Sequence, residues 1–396
     1  MDVPFFKPYI SEDDVENVNE VLASGWLTSG EWVERFEQLF SHYIGVRYCV
    51  AVGSATAALH LSLLTSRAKP GDYVLVPTMT FASTAEIVYH CRCHPLLVDC
   101  KLDDLTIDIH DAERKLLRAR KEGKKVSCII PVHYAGKMVD MDLVEDLAEA
   151  YDLDVIEDAA HCCGSSYFSR KSGKSFRKSP KSLAQCYSFY CNKCITTCGE
   201  GGMIATDVEE IAKKVCVLSL HGLSESAFKR FSATGNVFYD IECLGFKYNL
   251  TDVAAAMGCA QVKKADFLKS KRSEAVSLYR ELLKDNPYIR LLNDGLDSGE
   301  HSHHIFVVRY ISSCDASLLS RTQLLQMLRH KGIVCSVHWK PLHMYSFYKK
   351  QGFREEDFPN ATRAFGEILS LPLFPEIEQE QILYVVKSLN ELLNVS

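Results

Sequence analysis

From about residue 48 to residue 206, short and nearly unbroken apolar runs alternate with stretches of helical periodicity. The runs cover residues 48–52, 73–76, 128–130, 154–156, 186–189 and 203–205. Runs this short and continuous suit strands buried on both faces, and helical spacers between them imply parallel crossovers. Helical patterns fall at residues 15–22, 56–64, 140–149 and 209–218. The pattern predicts a large α/β domain over residues 1–251, built on a mainly parallel sheet.

Near residue 251 the texture changes. Thr251 caps a long helical run that continues through Leu283. An apolar strand at 305–309, a helix near 320–330, a strand at 333–337 and a last helix near 378–393 follow. This order predicts a smaller α+β domain over residues 252–396, opened by a long connecting helix.

Composition alters this picture little. The 396 residues suffice for two domains with real cores, and 47% apolar with 24% charged residues is ordinary globular usage. A net charge of −6 gives no broad electrostatic attraction to nucleic acid or an anionic membrane. No apolar run approaches the roughly 20 residues that span a bilayer. The start, Met1-Asp-Val-Pro-Phe-Phe-Lys-Pro8, lacks the basic-then-apolar order of a secretory signal, so a soluble cytoplasmic protein is expected.

The 16 cysteines are scattered, and many fall inside predicted strands or helices, where cysteine acts as a small apolar residue. Their thiols are expected to stay reduced. Cys191, Cys194 and Cys198 have spacings that suggest a metal, but no second pair or histidine completes four ligands. No metal site is expected.

Candidate chemistry gathers at predicted strand ends. Asp158 ends the run Asp154-Val-Ile-Glu-Asp158, at the edge where open α/β sheets place ligands. Ser188 lies in the next run and Lys193 follows it, ahead of the Gly-rich turn Gly199-Glu-Gly-Gly202. A strand-end carboxylate, a hydroxyl and a lysine in this order are the parts a pyridoxal phosphate (PLP) enzyme needs. The carboxylate meets the protonated pyridine nitrogen, the hydroxyl meets the phosphate, and the lysine forms the Schiff base. Each part also has a plain reading: Lys193 as one surface lysine among many, Asp158 as a carboxylate capping a turn.

The turn Val52-Gly-Ser-Ala-Thr56 opens a helix whose first amides lack intrahelical partners. Ser54, Ala55 and Thr56 therefore form either a phosphate cup or an ordinary helix cap. His161 either hydrogen-bonds the cofactor's phenolic oxygen or packs in the core. Phe81, just past a strand end, either stacks on the pyridine ring or is simple core. His133 and Tyr134 occupy a further strand-end position that can line a pocket.

Together these residues resemble the sugar aminotransferases of the DegT/StrS group, PLP enzymes of the aspartate aminotransferase fold (PLP fold type I). The resemblance runs over nearly the whole chain. It includes Ser24-Gly-Trp-Leu-Thr-Ser-Gly30, Ser54-Ala-Thr-Ala-Ala-Leu-His-Leu61, Thr80-Phe81 and Glu157-Asp-Ala-Ala-His161. It continues through Ser188-Phe-x-x-x-Lys193, Gly199-Glu-Gly-Gly202, His221-Gly-Leu223, Gly245-Phe-Lys-Tyr-Asn-Leu-Thr-Asp252 and Val337-His-Trp-Lys-Pro-Leu-His343.

The resemblance implies a homodimer with shared active sites. It implies Lys193 as Schiff-base lysine, Asp158 as pyridine-nitrogen partner, and Ser188 with Ser54–Thr56 as phosphate binders. It puts Phe81 at the ring-stacking position. Lys247 falls in the loop that reaches the neighbouring subunit's cofactor phosphate, where many relatives read Asn; Asn249 stands where they carry Arg. Trp26, Thr28, Arg230 (beside Lys229) and His338 fall where relatives meet the nucleotide sugar, with His343 and Tyr345 near them. The basic loop 170–181 is either a solvated charged loop or a contact to the sugar's diphosphate.

The implied reaction moves an amino group from L-glutamate to a nucleotide-linked ketosugar. The expected acceptor is C4 of a 4-keto-6-deoxyhexose, with C3-keto sugars as the other possibility. Relatives that replace the lysine by histidine are sugar dehydratases, and this chain keeps Lys193. A PLP-dependent keto-sugar dehydratase and a non-catalytic PLP-binding relative are the alternatives.

Overall fold

A computed structural model of the chain describes residues 1–224, 239–293, 299–312 and 318–395. Its centre is a seven-stranded sheet in the order β1-β9-β8-β5-β4-β2-β3. The strands are β1 (Tyr48–Val52), β2 (Tyr73–Pro77), β3 (His94–Val98), β4 (Val126–Ile129) and β5 (Asp154–Asp158). A small hairpin of β6 (Tyr167–Ser169) and β7 (Lys174–Phe176) stands apart, and β8 (Ala184–Ser188) and β9 (Gly202–Thr206) complete the large sheet.

Pairing is parallel from β3 across to β8, and only β9 runs antiparallel to its neighbours β8 and β1. The chain between β8 and β9 carries no helix, so the strand returns beside its predecessor in the opposite sense. That short return holds Lys193.

All six expected runs lie on strands of this sheet, with ends shifted by a residue or two. Strand β3 escapes sequence detection because Pro95 interrupts it. The proline is tolerated because β3 is an edge strand, where its missing N–H breaks no ladder.

The helix Ala55–Thr65 is apolar on nearly every side and is buried from Ala57 to Leu63. A helix hydrophobic all round belongs in the interior. It packs against β8 and β9, which points its N-terminus at the strand ends. Residue 202 must be glycine for this packing, since a Cβ there would sit 2.4 Å from the Ser54 carbonyl carbon and 2.7 Å from the Ala55 nitrogen.

The expected helix from 251 to 283 is two helices, Asp252–Lys263 and Ala265–Leu283, parted at Lys264. Thr251 Oγ1 does cap the first, accepting from the Ala254 N–H at 3.3 Å. Ala254, Ala255, Cys259 and Val262 of that first helix pack in a core with Phe36, Phe40 and Tyr187. Ala275, Val276, Tyr279 and Leu283 belong instead to the core of the small sheet. Ala265 and Leu268 of the second helix still belong to the first core, so the change of core falls within that helix.

The small sheet joins β10 (Ile289–Leu291), β11 (Phe306–Tyr310) and β12 (Ile368–Leu371), all antiparallel. The expected strand at 333–337 is not one. Among the described residues it makes only isolated bridges, Ile333 to Val3 and Ser336 to Ser370. The N-terminal residues therefore join the C-terminal part: the Val3 N–H donates to the Gly332 carbonyl at 2.8 Å.

Candidate active site

The ends of β5 and β8, the start of the Ala55–Thr65 helix and the 338–339 segment enclose one cavity of about 490 Å³. Ser54, Ala55, Thr56, Phe81, Asp158, His161, Ser188, Lys193 and His338 all line it. Residues from five parts of the sequence thus meet in a space of the size that holds a cofactor and a small substrate.

Asp158 is 4% exposed and shares its two oxygens between neighbours. Oδ2 accepts from Thr84 Oγ1 at 2.8 Å, and Oδ1 accepts from the Ala160 N–H at 3.2 Å. Burial pushes its pKa up, against the Thr84 and Ala160 hydrogen bonds and the charges of Lys193 and His133. A buried carboxylate of this kind calls for a cationic partner.

Lys193 is half-buried beside it, and its pKa is lowered to about 8. Desolvation is the main cause, opposed by the charge of Asp158. About a tenth of the amine is therefore a free base, hence a nucleophile, at pH 7, far more than for a solvated lysine.

The helix start and Ser188 line the same cavity with free donors. Ser54 Oγ takes the Ala57 N–H at 3.1 Å, so the cap and cup readings hold together. The Ala55 and Thr56 amides precede the first intrahelical bond and remain for an anion. Ser188 Oγ accepts from the Tyr190 N–H at 3.3 Å and keeps its own proton to donate.

An aromatic and imidazole wall faces Lys193. Phe81 lines the cavity with 59% of its surface exposed, so it is not core. His161 is buried and stacks on Trp339, with centroids 4.9 Å apart and planes at 30°. Its Nδ1 is buried and, among the described residues, has no hydrogen-bond partner. His338 Nδ1 meets Ser370 Oγ at 2.9 Å, and burial together with the Lys193 charge lowers its pKa to about 4. Burial first, then Lys193, also holds His161 neutral.

Trp339, His304, Tyr190, Asn192 and Glu200 line the same cavity and were not singled out from sequence. Trp339 stood inside a quoted motif, and its place beside His338 was the available signal. His304 comes from the start of the β11 segment, far along the chain, and carries no local signature.

Other expected residues lie elsewhere. Trp26, Thr28 and Lys247 are absent from the cavity lining. They gather in a separate place: Lys247 Nζ donates to Asn249 Oδ1 at 2.5 Å, and Asn249 Nδ2 donates to Ser29 Oγ at 2.7 Å. Arg230 and Lys229 lie outside the described residues. His133 does not reach the cavity; it is fully buried, its Nδ1 accepts from the Val139 N–H, and its Nε2 donates to Glu157 at 2.8 Å. Tyr134 is buried beneath the cavity, and His343 is held between Thr78 and Thr362.

The basic loop is largely exposed, as the solvated reading expects, but its paired cations are not a free anion patch. Arg170 pairs with Asp140, Lys171 with Asp146, Arg177 with Asp266, Lys178 with Asp207 and Lys181 with Glu149. Those cations are committed to neighbours within the chain.

Comparison with known proteins settles what this arrangement belongs to. The model of the DegT/DnrJ/EryC1/StrS aminotransferase family matches residues 8–390. The chain belongs to that family. It is 35% identical to the spore coat polysaccharide biosynthesis protein SpsC of Bacillus subtilis, over 98% of this chain and 97% of SpsC. The PMP form of Spr1654 from Streptococcus pneumoniae superposes with a TM-score of 0.87 at 29% identity, covering 99% of this chain and 98% of that one. Helicobacter pylori PseC, an aminotransferase involved in the biosynthesis of pseudoaminic acid, superposes over 100% of both chains with a TM-score of 0.87 at 26% identity.

This chain of the DegT/DnrJ/EryC1/StrS family is thus a PLP-dependent sugar aminotransferase of the aspartate aminotransferase fold. The cavity fits the cofactor on its own terms. It offers an exposed aromatic face, a helix start for a phosphate, a buried acid for a pyridinium and an unpartnered His161 nitrogen for a ring oxygen.

Proposed function

We propose that this enzyme moves the amino group of L-glutamate to the keto carbon of a nucleotide-linked sugar, with C4 of a 4-keto-6-deoxyhexose as the acceptor position. The product is an amino sugar for a polysaccharide or related glycan. The observation that carries this reading is the meeting of Lys193, Asp158 and the Ser54–Thr56 turn in one cavity. The kinship with SpsC and PseC supports the sugar substrate.

In this reading Lys193 is the residue to which the cofactor is bound. Bound PLP supplies an electron sink for charge that develops at the donor's α-carbon. Freed by the donor's amine, the Lys193 amine would be the base that takes the proton from the donor's α-carbon and the acid that gives it back. Its lowered pKa suits both directions of the transfer. Asp158 keeps a proton on the ring nitrogen. Ser188, the Ser54 hydroxyl and the amides of Ala55 and Thr56 hold the phosphate. Phe81 stacks on the ring, and His161 donates or accepts at its phenolic oxygen. Trp339, covering His161, keeps water from that side.

The donor half and the sugar half follow the same steps in opposite order. His338 faces the sugar from the cavity wall, with Arg230 reserved for the nucleotide. We assign Trp26, Thr28 and Lys247 to the second site of a homodimer, where Lys247 approaches the cofactor phosphate. Their distance from this chain's own cavity supports that assignment. So does the apolar exposure beside them: Ile241 is 64% and Leu244 92% exposed, as suits a face covered by another copy. We place the enzyme in the cytoplasm; among the described residues no helix is long and apolar enough to cross a membrane.

Incubation of the holoenzyme with glutamate tests the donor half: one 2-oxoglutarate per site is expected, with loss of the visible cofactor band. A panel of nucleotide ketosugars then tests the acceptor half, and the band returns only with the true substrate class. No 2-oxoglutarate from glutamate would reject this donor.

A further inference from the structure

Asp158 does not stand alone at the end of β5. Thr84, in the first turn of the helix Ser83–His90, has no exposed surface, and its Oγ1 donates to Asp158 Oδ2 at 2.8 Å. Behind it, Thr80 Oγ1 lies 2.8 Å from Thr84 Oγ1, and Thr80 is 2% exposed. Thr84 has one hydroxyl proton, and an ionised carboxylate can only accept. That proton is therefore spent on Asp158, so the Thr80 hydroxyl must donate to Thr84. The result is a directed chain, Thr80 to Thr84 to Asp158.

We infer that Thr84, with Thr80 behind it, is a positioning residue that holds Asp158 ionised and aimed at the cofactor's ring nitrogen. The inference rests on the assignment of Asp158 to that nitrogen. Three features carry it. The bond from Thr84 occupies Oδ2, and among the described residues the Ala160 amide at 3.2 Å is the only other hydrogen bond at the carboxylate, leaving Oδ1 with a free lone pair. The carboxylate lines the cavity, whereas Thr84 is wholly enclosed, so the hydroxyl acts only through Asp158. Thr80 lines the cavity beside Phe81, so the chain links the ring-stacking wall to the acid.

The surrounding charges make this support matter. Lys193 and His133 face Asp158, with the thiols of Cys162 and Cys186 and the ring of His161 nearby. Burial works against the charged carboxylate, and the hydrogen bond from Thr84 is the strongest effect opposing it. Hydrogen bonds to a charged group in an interior are stronger than neutral ones, since little water competes there.

The test uses the purified holoenzyme and the variants T84V, T84S, T80V and D158A. Readouts are the PLP dissociation constant and the pH dependence of the cofactor's absorbance, with melting temperature as a check on folding. Loss of the hydroxyl favours the protonated acid, so in T84V the acid limb of the absorbance profile moves up by about one pH unit. PLP binding near neutral pH weakens by about tenfold. T84S restores both to within about twofold of the parent, because the donor returns. T80V shifts both in the same direction by less, and it keeps the inference testable should T84V fail to fold. An unshifted limb in T84V, or in a folded T80V alongside an unfolded T84V, overturns the role of the chain. If D158A itself binds PLP with the parent's affinity and spectrum, the assignment of Asp158 fails instead, and the two failures are distinct.

Discussion

The carboxylate of Asp252 caps a helix that is not its own: Oδ1 accepts the Gly30 N–H at 2.7 Å and the Val33 N–H at 3.0 Å. Asp252 opens one helix, and Glu31–Ile44 is another, more than 200 residues earlier in the chain. The acid is 2% exposed, and it stands where Gly30 itself offers no side-chain cap. Together with the Asn249–Ser29 hydrogen bond, this contact fixes the Trp26–Gly30 loop against the segment that carries Lys247 and Asn249. Asp252→Ala leaves buried N–H donors without an acceptor, and an unfolding free energy lower by about 2–3 kcal/mol is expected. Denaturant titration checks this; Asp252→Asn, which keeps one acceptor oxygen, falls between the two.

Gly202 sets how closely the sheet approaches the phosphate turn. Gly202→Ala would drive a methyl group to within 2.4–2.7 Å of the Ser54 carbonyl and the Ala55 nitrogen, both rigid backbone. The turn must move away from β9, and the amides of Ala55 and Thr56 lose their aim. PLP affinity should fall by at least about tenfold, equivalent to 1.4 kcal/mol or more. Equilibrium dialysis of the folded variant measures it, and parent-like affinity would remove the turn from the phosphate site.

Lys193 gives a pH signature. Its pKa is lowered to about 8, with burial as the leading cause. Only the unprotonated amine attacks PLP, so capture of the cofactor by the apoenzyme should quicken as pH rises and level off above about 8. Stopped-flow absorbance across the range reads this directly. An inflection near 10.5, the ordinary lysine value, would show a solvated amine instead.

The basic loop makes a negative prediction. Because Lys171 and Lys181 pair with Asp146 and Glu149, Lys171→Ala and Lys181→Ala should leave the sugar KM within about twofold of the parent. Exposed pairs contribute about 0–1 kcal/mol, so stability should change little as well. A large rise in KM for either variant would return the loop to the substrate site.

Much of the site was legible because parallel strands deliver residues in sequence-local packets. Asp158 and Ser188 end strands and the Ser54 turn follows one, and the sheet aligns those strand ends on one edge. Trp339, His304 and Thr84 were not legible, because tertiary packing alone brings them to that edge. The apolar stretch 333–337 has a strand's composition, yet its neighbours offer only single bridges to Val3 and Ser370. Composition reports burial there without pairing. Lys264 shows the reverse limit, since the helical period runs through it while the helix breaks. The cations of the basic loop were read correctly as charges, but their partners Asp140, Asp146 and Glu149 sit on or beside a helix whose placement no local pattern gives.

The most direct measurement is the identity of the cofactor-bearing lysine. Borohydride reduction of the holoenzyme fixes the pyridoxyl group to whichever lysine holds it, and peptide mass spectrometry then locates it. The label is expected on Lys193 alone, at about one per chain, with none after prior incubation with glutamate. A label on another lysine, or a labelled Lys193→Ala protein that still transfers amino groups, would contradict the account.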